Sequence, residues 1–230
     1  MIIGRGLIAN AFNNNYWHES QVIIFASGVS NSKETLISEF SREETMLLDA
    51  VKLNQKIVYF STCSVDDPEL EFSPYVLHKK KMEKIINGCS DFLIIRLPQV
   101  VGATPNPNTI VNYLYSKIAS GSTFDLWRYA KRNFIDIEDV QSIASYILNN
   151  LSMNKATLNI ACPFSISIVD LVSILEDLFQ KKALFKIINF GSDYVIDTSF
   201  SYACASKLGI EFDVNYVKNI INKYYLSKVE

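Results

Sequence analysis

Four short apolar runs, each leading through a polar turn toward a helical pattern, restrict this chain more than any other feature. "MII" leads into "GRGLIANAFNN". "VIIFA" (22–26) leads through a polar loop to a helical pattern near 39–54 with Met46, Leu47, Ala50 and Val51 on one side. "KIVYFS" (56–61) leads to a helix opening at Pro74, and "DFLIIRL" (91–97) follows it. Runs rich in β-branched residues that alternate with longer segments of 3.6-residue period predict a parallel sheet covered by helices. The expected class is therefore α/β, with a Rossmann-like parallel sheet and helices on both faces. The 230 residues suffice for one such domain and a small appendage.

The texture changes after residue 97. A Pro- and Asn-containing loop, "PQVVGATPNPNT", precedes a helical pattern near 109–120 carrying Ile110, Val111, Leu114 and Ile118. Further helical patterns lie near 138–149, 167–180 and 213–226, with short strands "TLNIA" and "FKIINF" between them. This divides the chain into residues 1–104, which hold the first strands, and 105–230, a mixed part expected to complete the sheet and form a small C-terminal lobe. Ligands of such sheets bind at the carboxyl edge of the strands, so the lobe is expected to close a cleft there.

Bulk properties narrow the partners. A net charge of −2 gives no electrostatic footprint for nucleic acid or an anionic membrane. No apolar run is long enough to cross a bilayer, and "MIIGRG" is too short in apolar residues for a secretory leader. Cys63, Cys89, Cys162 and Cys204 are scattered, which reads as free thiols in a reducing cytoplasm. Two histidines without a ligand-spaced cluster argue against a structural zinc.

Three segments carry chemistry. "GRGLIA" places Gly4, Gly6 and Ala9 as G-x-G-x-x-A between a strand and a helix, where glycines let backbone approach a pyrophosphate. "YFSTCSV" puts Ser61, Thr62, Cys63 and Ser64 at the end of a strand, with hydroxyls facing the cleft. "SPYVLHKKKMEK" puts Tyr75 and Lys79 one turn apart, on a stripe with Met82 and Ile86. Ser73 suits the N-cap of that helix, Pro74 its first position, and Gly88 its C-terminal stop. An ammonium beside a phenol is expected to lower the phenol's pKa from its usual ~10. With a hydroxyl opposite, that trio can exchange a proton with an alcohol or carbonyl beside a nicotinamide. His78 falls off the stripe and reads as a surface or packing residue.

Taken in order, these segments resemble the extended short-chain dehydrogenase/reductase superfamily, specifically its NAD-dependent epimerase/dehydratase group acting on nucleotide sugars. "LIIRLPQVVG" is similar to that family's R-x-x-x-V-Y-G segment, with Val101 in place of Tyr, and "KRNFIDIEDV" to its R-x-F-I-x-V-x-D-V. The resemblance implies catalysis by Thr62, Tyr75 and Lys79. It implies cofactor contacts from Gly4, Arg5, Gly6, Leu7, Ile8, Ala26, Ser27, Gly28, Ser61, Tyr75, Lys79 and Pro98. Substrate contacts would come from Thr62, Cys63, Asn108 and Arg132, with Arg132 on the nucleotide diphosphate. Asn108 fits a helix cap equally well, and Trp127 and Tyr129 fit core packing as well as stacking on a base. Dimerisation through two helices, one bearing Tyr75 and Lys79, is also implied.

Two departures from the family pattern shape the expected function. Only some dozen residues separate "GRGLIA" from "VIIFASG", so the second and third strands, which build the adenine and ribose pocket, are expected to be missing. No acidic residue ends a second strand, and Arg5 resembles the arrangement of relatives that take NADP(H) over NAD(H). The 4,6-dehydratases carry Asp-Glu after the catalytic Thr, where this chain has Cys63 and Ser64, which disfavours dehydration. The expected activity is NAD(P)-dependent reduction of a 4-ketosugar, or epimerisation, on a nucleotide-activated sugar in the cytoplasm. The alternative is a sugar-nucleotide-binding or scaffold protein that has lost dinucleotide binding and catalysis.

Overall fold

The computed structural model describes residues 1–13 and 21–226. Its central sheet has five strands, all parallel, in the order β1 (Ile2–Ile3), β2 (Val22–Phe25), β3 (Lys56–Thr62), β4 (Phe92–Leu97) and β8 (Ala156–Asn159). β1 pairs only with β2 among the described residues. In a full dinucleotide-binding sheet, two further strands lie beyond the first; here, among the described residues, the first strand is the edge, as the short spacing predicted. The end of the "GRGLIANAFNN" pattern runs into residues 14–20, outside the described ones.

Both sheet faces are covered. α2 (Ile37–Val51) and α3 (Pro74–Ile86) pack on one, where Ile23, Phe25, Leu47, Ile57, Met82 and Ile94 form a buried layer. α1 (Leu7–Phe12) and α5 (Ile137–Asn150) take the other, with Phe12, Val58, Leu93, Val140 and Ile143 in its core. Strand alternation sorts β3 between these layers: Ile57 and Tyr59 join the first, Val58 and Phe60 the second. Burying this much branched apolar surface is the main favourable contribution to folding, at roughly 25 cal/mol per Å².

The later residues build the lobe. β5 (Gln99–Val101), β7 (Lys131–Asp136) and β9 (Ser165–Ser167) form one small sheet, β7 pairing parallel with β5 and antiparallel with β9. β6 (Phe124–Trp127) and β10 (Phe185–Ile188) form a parallel pair. α4 (Ile110–Ser120), α6 (Ile168–Phe179), α7 (Ser199–Lys207) and α8 (Tyr216–Tyr225) complete it. Its packing shares Leu114, Leu126, Phe134 and Leu171 with the core beneath the central sheet. Among the described residues, no helix is long and apolar enough to cross a membrane.

The helix that carries the phenol begins as the sequence predicts. Ser73 Oγ accepts the Val76 N–H at 3.2 Å and Pro74 sits in the first turn. Its end differs. Gly88 is not left-handed; Asn87 closes the helix in right-handed geometry, and the Gly88 N–H donates to the Ile85 carbonyl at 3.1 Å. The cap of α4 is Thr109, whose Oγ1 accepts the Asn112 N–H at 3.3 Å, so Asn108 is not the cap.

Candidate active site

A cavity of about 740 Å³ opens at the carboxyl edge of β1, β2, β3 and β4. Its wall includes Gly6 and Leu7 from the first loop, Ala26 and Gly28 after β2, and Pro98 after β4. Thr62, Tyr75 and Lys79 line the same space, as do Arg5, Ile8, Ser27, Ser61 and Asn108. Residues far apart in the chain thus meet because all four strands are parallel and end on one side. The lining holds Arg5, Arg42 and Lys79 and, among the described residues, no carboxylate. Such a wall suits a polyanionic ligand.

Thr62 and Tyr75 meet at the inner end. Thr62 caps the short 3-10 turn Cys63–Asp66, and its Oγ1 accepts the Ser64 N–H at 3.1 Å. The Tyr75 phenol lies close enough that Thr62 opposes the rise burial gives it, and the two residues are 8% and 9% exposed.

Lys79 is placed differently from expectation. It is buried, and its Nζ donates to Glu43 Oε1 at 2.9 Å and to the Tyr59 hydroxyl at 3.1 Å, while lying 5.9 Å from the centre of the Tyr75 ring. Glu43 comes from α2 and is wholly buried. Its Oε1 also accepts the Tyr59 hydroxyl at 2.6 Å, and its Oε2 accepts the Val29 N–H at 2.6 Å and His78 Nε2 at 3.0 Å. Burial pushes the Glu43 carboxyl up, but Lys79, His78, Tyr59 and the Val29 N–H outweigh it and bring it down to about 2. The expected lowering of the Tyr75 pKa by Lys79 is not found. Burial raises that phenol above its ordinary value, and Thr62 only partly opposes this. Glu43 and Cys63 add to the rise, and Lys79 is paired with Glu43.

His78, read from sequence as lying off the stripe, is buried on the same helix face, three residues from Tyr75. Positions i+3 and i+4 both neighbour i on a helix, so Tyr75, His78 and Lys79 all turn inward. Glu43 had a signal in the sequence: it shares one helical face with Leu47 and Ala50, a charge on an apolar stripe.

Several expected contacts fall elsewhere. Cys63 is fully buried, does not line the cavity, and has its thiol pushed up to about 12 by burial. The Ser61 hydroxyl donates to Glu83 at 2.6 Å, although the residue reaches the cavity wall. Gly4 is not a lining residue. Its φ of 142° and a position where any Cβ would strike the Ala26 carbonyl give it a structural role, letting the β1 and β2 loops touch. Arg132 lies on β7 outside the lining, with Nη1 donating to the Lys131 carbonyl at 2.7 Å. Its charge partly opposes the rise that burial gives the Tyr194 phenol. Trp127 packs edge-on against Phe190, the ring centres 4.8 Å apart.

A parallel sheet that among the described residues is edged by its first strand, with a glycine loop and Thr62, Tyr75 and Lys79 lining one cavity, is that of a Rossmann-like protein of the extended short-chain dehydrogenase/reductase superfamily. The sequence profile of the NAD dependent epimerase/dehydratase family matches residues 18–161, and the chain belongs to that family. The matched stretch holds Thr62, Tyr75 and Lys79 but begins after the glycine loop. No curated protein matches the chain by sequence. Solved structures match by fold. MoeE5 in complex with UDP-glucose and NAD aligns with a TM-score of 0.72 at 15% identity, over 98% of this chain and 85% of that one. UDP-glucuronic acid 4-epimerase from Bacillus cereus, in complex with UDP-glucuronic acid and NAD, gives 0.68 at 16% identity, over 100% and 90%. RMD from Pseudomonas aeruginosa, complexed with NADPH, also gives 0.68 at 16%, over 99% and 88%.

Proposed function

We propose that this protein is an NAD(P)-dependent oxidoreductase of a nucleotide-activated sugar, acting as a 4-ketosugar reductase or an epimerase. The observation that carries this reading is that Thr62, Tyr75 and Lys79 line the same cavity as Gly6 and Ala26. The cationic wall fits the cofactor's phosphates, and a Cβ at Gly6 would meet nothing within 4 Å, so the protein leaves open space there. Gly6, Leu7, Ala26 and Pro98 would hold the cofactor with Lys79, while Arg5 and Arg42 would favour the additional phosphate of NADP(H). When bound, the nicotinamide supplies or accepts a hydride.

The chain's own groups do the remaining work. Thr62 and Tyr75 hold the sugar oxygen between two hydroxyls, and Tyr75 gives that oxygen a proton or takes one from it. Closure of the lobe around the substrate would exclude water, which strengthens each of these polar contacts. Arg132, next to Tyr194 at the lobe side, would take the nucleotide diphosphate, and Asn108 would contact the substrate at the rim. Cys63 and Ser64 offer no carboxylate pair for dehydration. A cytoplasmic location and pairing through α2 and α3 complete the reading.

The test is direct. NADPH and NADH are titrated into the purified protein while nicotinamide fluorescence is followed, and NADPH oxidation is then assayed with 4-keto nucleotide sugars. Saturable binding that disappears in Gly6→Trp, with substrate-dependent oxidation, is the expected result. No binding at millimolar cofactor would instead leave a sugar-nucleotide-binding or scaffold protein.

A further inference from the structure

The cavity has a wall whose shape is set from outside it. Residues 103–109, between β5 and α4, all line the cavity. They belong to no strand or helix, and Pro105 and Pro107 bring no N–H of their own. Backbone carbonyls in such a loop need donors from elsewhere. Asn112, in the first turn of α4, supplies them. Its Nδ2 donates to the Thr104 carbonyl at 3.0 Å and to the Asn106 carbonyl at 2.8 Å. Its Oδ1 accepts the Tyr225 hydroxyl at 2.7 Å. Turned over, the amide would aim its oxygen at two carbonyl oxygens, so the network leaves it one orientation. Asn112 and Tyr225 are 8% and 2% exposed, and neither lines the cavity.

Neither helix needs this bond for its own placement. Thr109 already caps α4. α8 is fastened independently: the Tyr216 and Tyr224 hydroxyls donate to Asp139 and Asp136 at 2.6 Å each, and Lys223 pairs with Asp136 and Glu138. What the Asn112–Tyr225 bond adds is the loop. The amide fixes the carbonyl of Asn106, whose side chain accepts the Asn108 N–H at 3.0 Å and donates to Ser30 Oγ at 3.3 Å. Ser30 lines the same cavity from the loop after β2. One buried amide thereby sets Asn106 and Asn108 against the loop that follows β2.

We propose that Asn112 and Tyr225 are positioning residues: the hydroxyl of the last helix orients the Asn112 amide, the amide fixes the 103–109 loop, and the loop sets how tightly the nucleotide sugar is held. This rests on the reading of the cavity as the site of a nucleotide-activated sugar, with Asn108 a substrate contact. Thr62 and Tyr75, which handle the proton in that reading, stand on β3 and α3 instead. Loosening the loop therefore weakens the hold on substrate and leaves proton transfer and cofactor binding as they were. An interaction made equally in the ground and transition states changes KM and not kcat.

Two variants of the intact chain test it. Tyr225→Phe removes one oxygen and keeps the ring that packs against Tyr115, while Asn112→Leu strips both loop carbonyls of their donor. In the substrate-free protein, hydrogen exchange at the Asn106, Asn108 and Thr109 amides should quicken by about tenfold in either variant, with the β3 amides unchanged. With 4-keto nucleotide sugars and NADPH, KM for the sugar nucleotide should rise by about tenfold, while kcat and the NADPH dissociation constant stay within about twofold. The double variant should be no worse than Asn112→Leu alone, because both residues act through one amide. Loop amides that exchange as slowly in folded Tyr225→Phe as in the unaltered protein overturn the proposal, and so does faster exchange with an unmoved KM. Equal quickening at β3 would be a global loss of stability and overturns it too. If Asn112→Leu does not fold, Tyr225→Phe decides alone. An unaltered protein that turns over no nucleotide sugar sinks the functional reading, and the loop amides then decide the positioning by themselves.

Discussion

The two ends of the cavity are built on opposite plans. At the inner end, Thr62, Tyr75 and Lys79 are nearly closed off from solvent, Thr62 accepting the Ser64 N–H and Lys79 donating to Glu43. At the outer end, Arg5, Gly6 and Arg42 are exposed, and the sheet stops at a two-residue strand that no described strand covers. Arg42 is tied only to Glu39 at 3.1 Å and to the Ser27 carbonyl and hydroxyl, besides a longer contact with Met46 sulfur. The contrast teaches that an inner end hung on β3, α2 and α3, which bury one another, stays closed although the sheet among the described residues ends at β1.

The largest effect should come at the inner end. Tyr75→Phe keeps the fold and cofactor binding but lowers turnover by about 10²–10⁴-fold, the usual contribution of a general acid; stopped-flow NADPH oxidation and fluorescence titration check the two halves. If both fall together, the two ends are not separable and the contrast fails. Next comes the buried pair. Glu43→Leu strands Lys79 without a counter-charge and should destabilise the protein by about 3–5 kcal/mol in urea unfolding, most of it recovered in Glu43→Leu/Lys79→Met. A loss below 1 kcal/mol would mean water reaches Lys79, and the inner end is less closed than drawn.

The pH dependence follows from the same group. Glu43 sits at about 2 in the fold against an ordinary 4.5. A folded value below the unfolded one stabilises above the unfolded value, and that stabilisation is lost as pH falls from about 5 toward 2. The loss should be on the order of 3 kcal/mol, visible as a steeper acid limb of stability than in Glu43→Gln. The smallest effect belongs to the outer end. Arg5→Ala and Arg42→Ala should each weaken NADPH by about tenfold or less, with little change for NADH, as expected for exposed charge-assisted contacts. Equal losses for both cofactors would assign these arginines to the diphosphate instead.

Much of this was legible in residue order. The strand–helix alternation predicted a parallel sheet, the short gap between Ala9 and Val22 predicted an edge at β1, and Ser73 and Pro74 predicted where α3 starts. These are local or periodic signals, carried by neighbours in the chain. Glu43 was not legible as a partner of Lys79, because 36 residues separate them and only the packing of α2 beside α3 brings them together. Cys63 was placed in the cleft because it follows Thr62, but the 3-10 turn that Thr62 caps carries it into the interior.

The chain's order of apolar runs, glycines and hydroxyls thus determined the fold and brought Thr62, Tyr75 and Lys79 to the wall of one cavity. What only the tertiary structure decided is the electrical state of that set. Whether a lysine acts on a phenol depends on distances of a few ångströms in a medium that screens charge poorly, and a carboxylate from another helix, invisible to spacing, occupies that range.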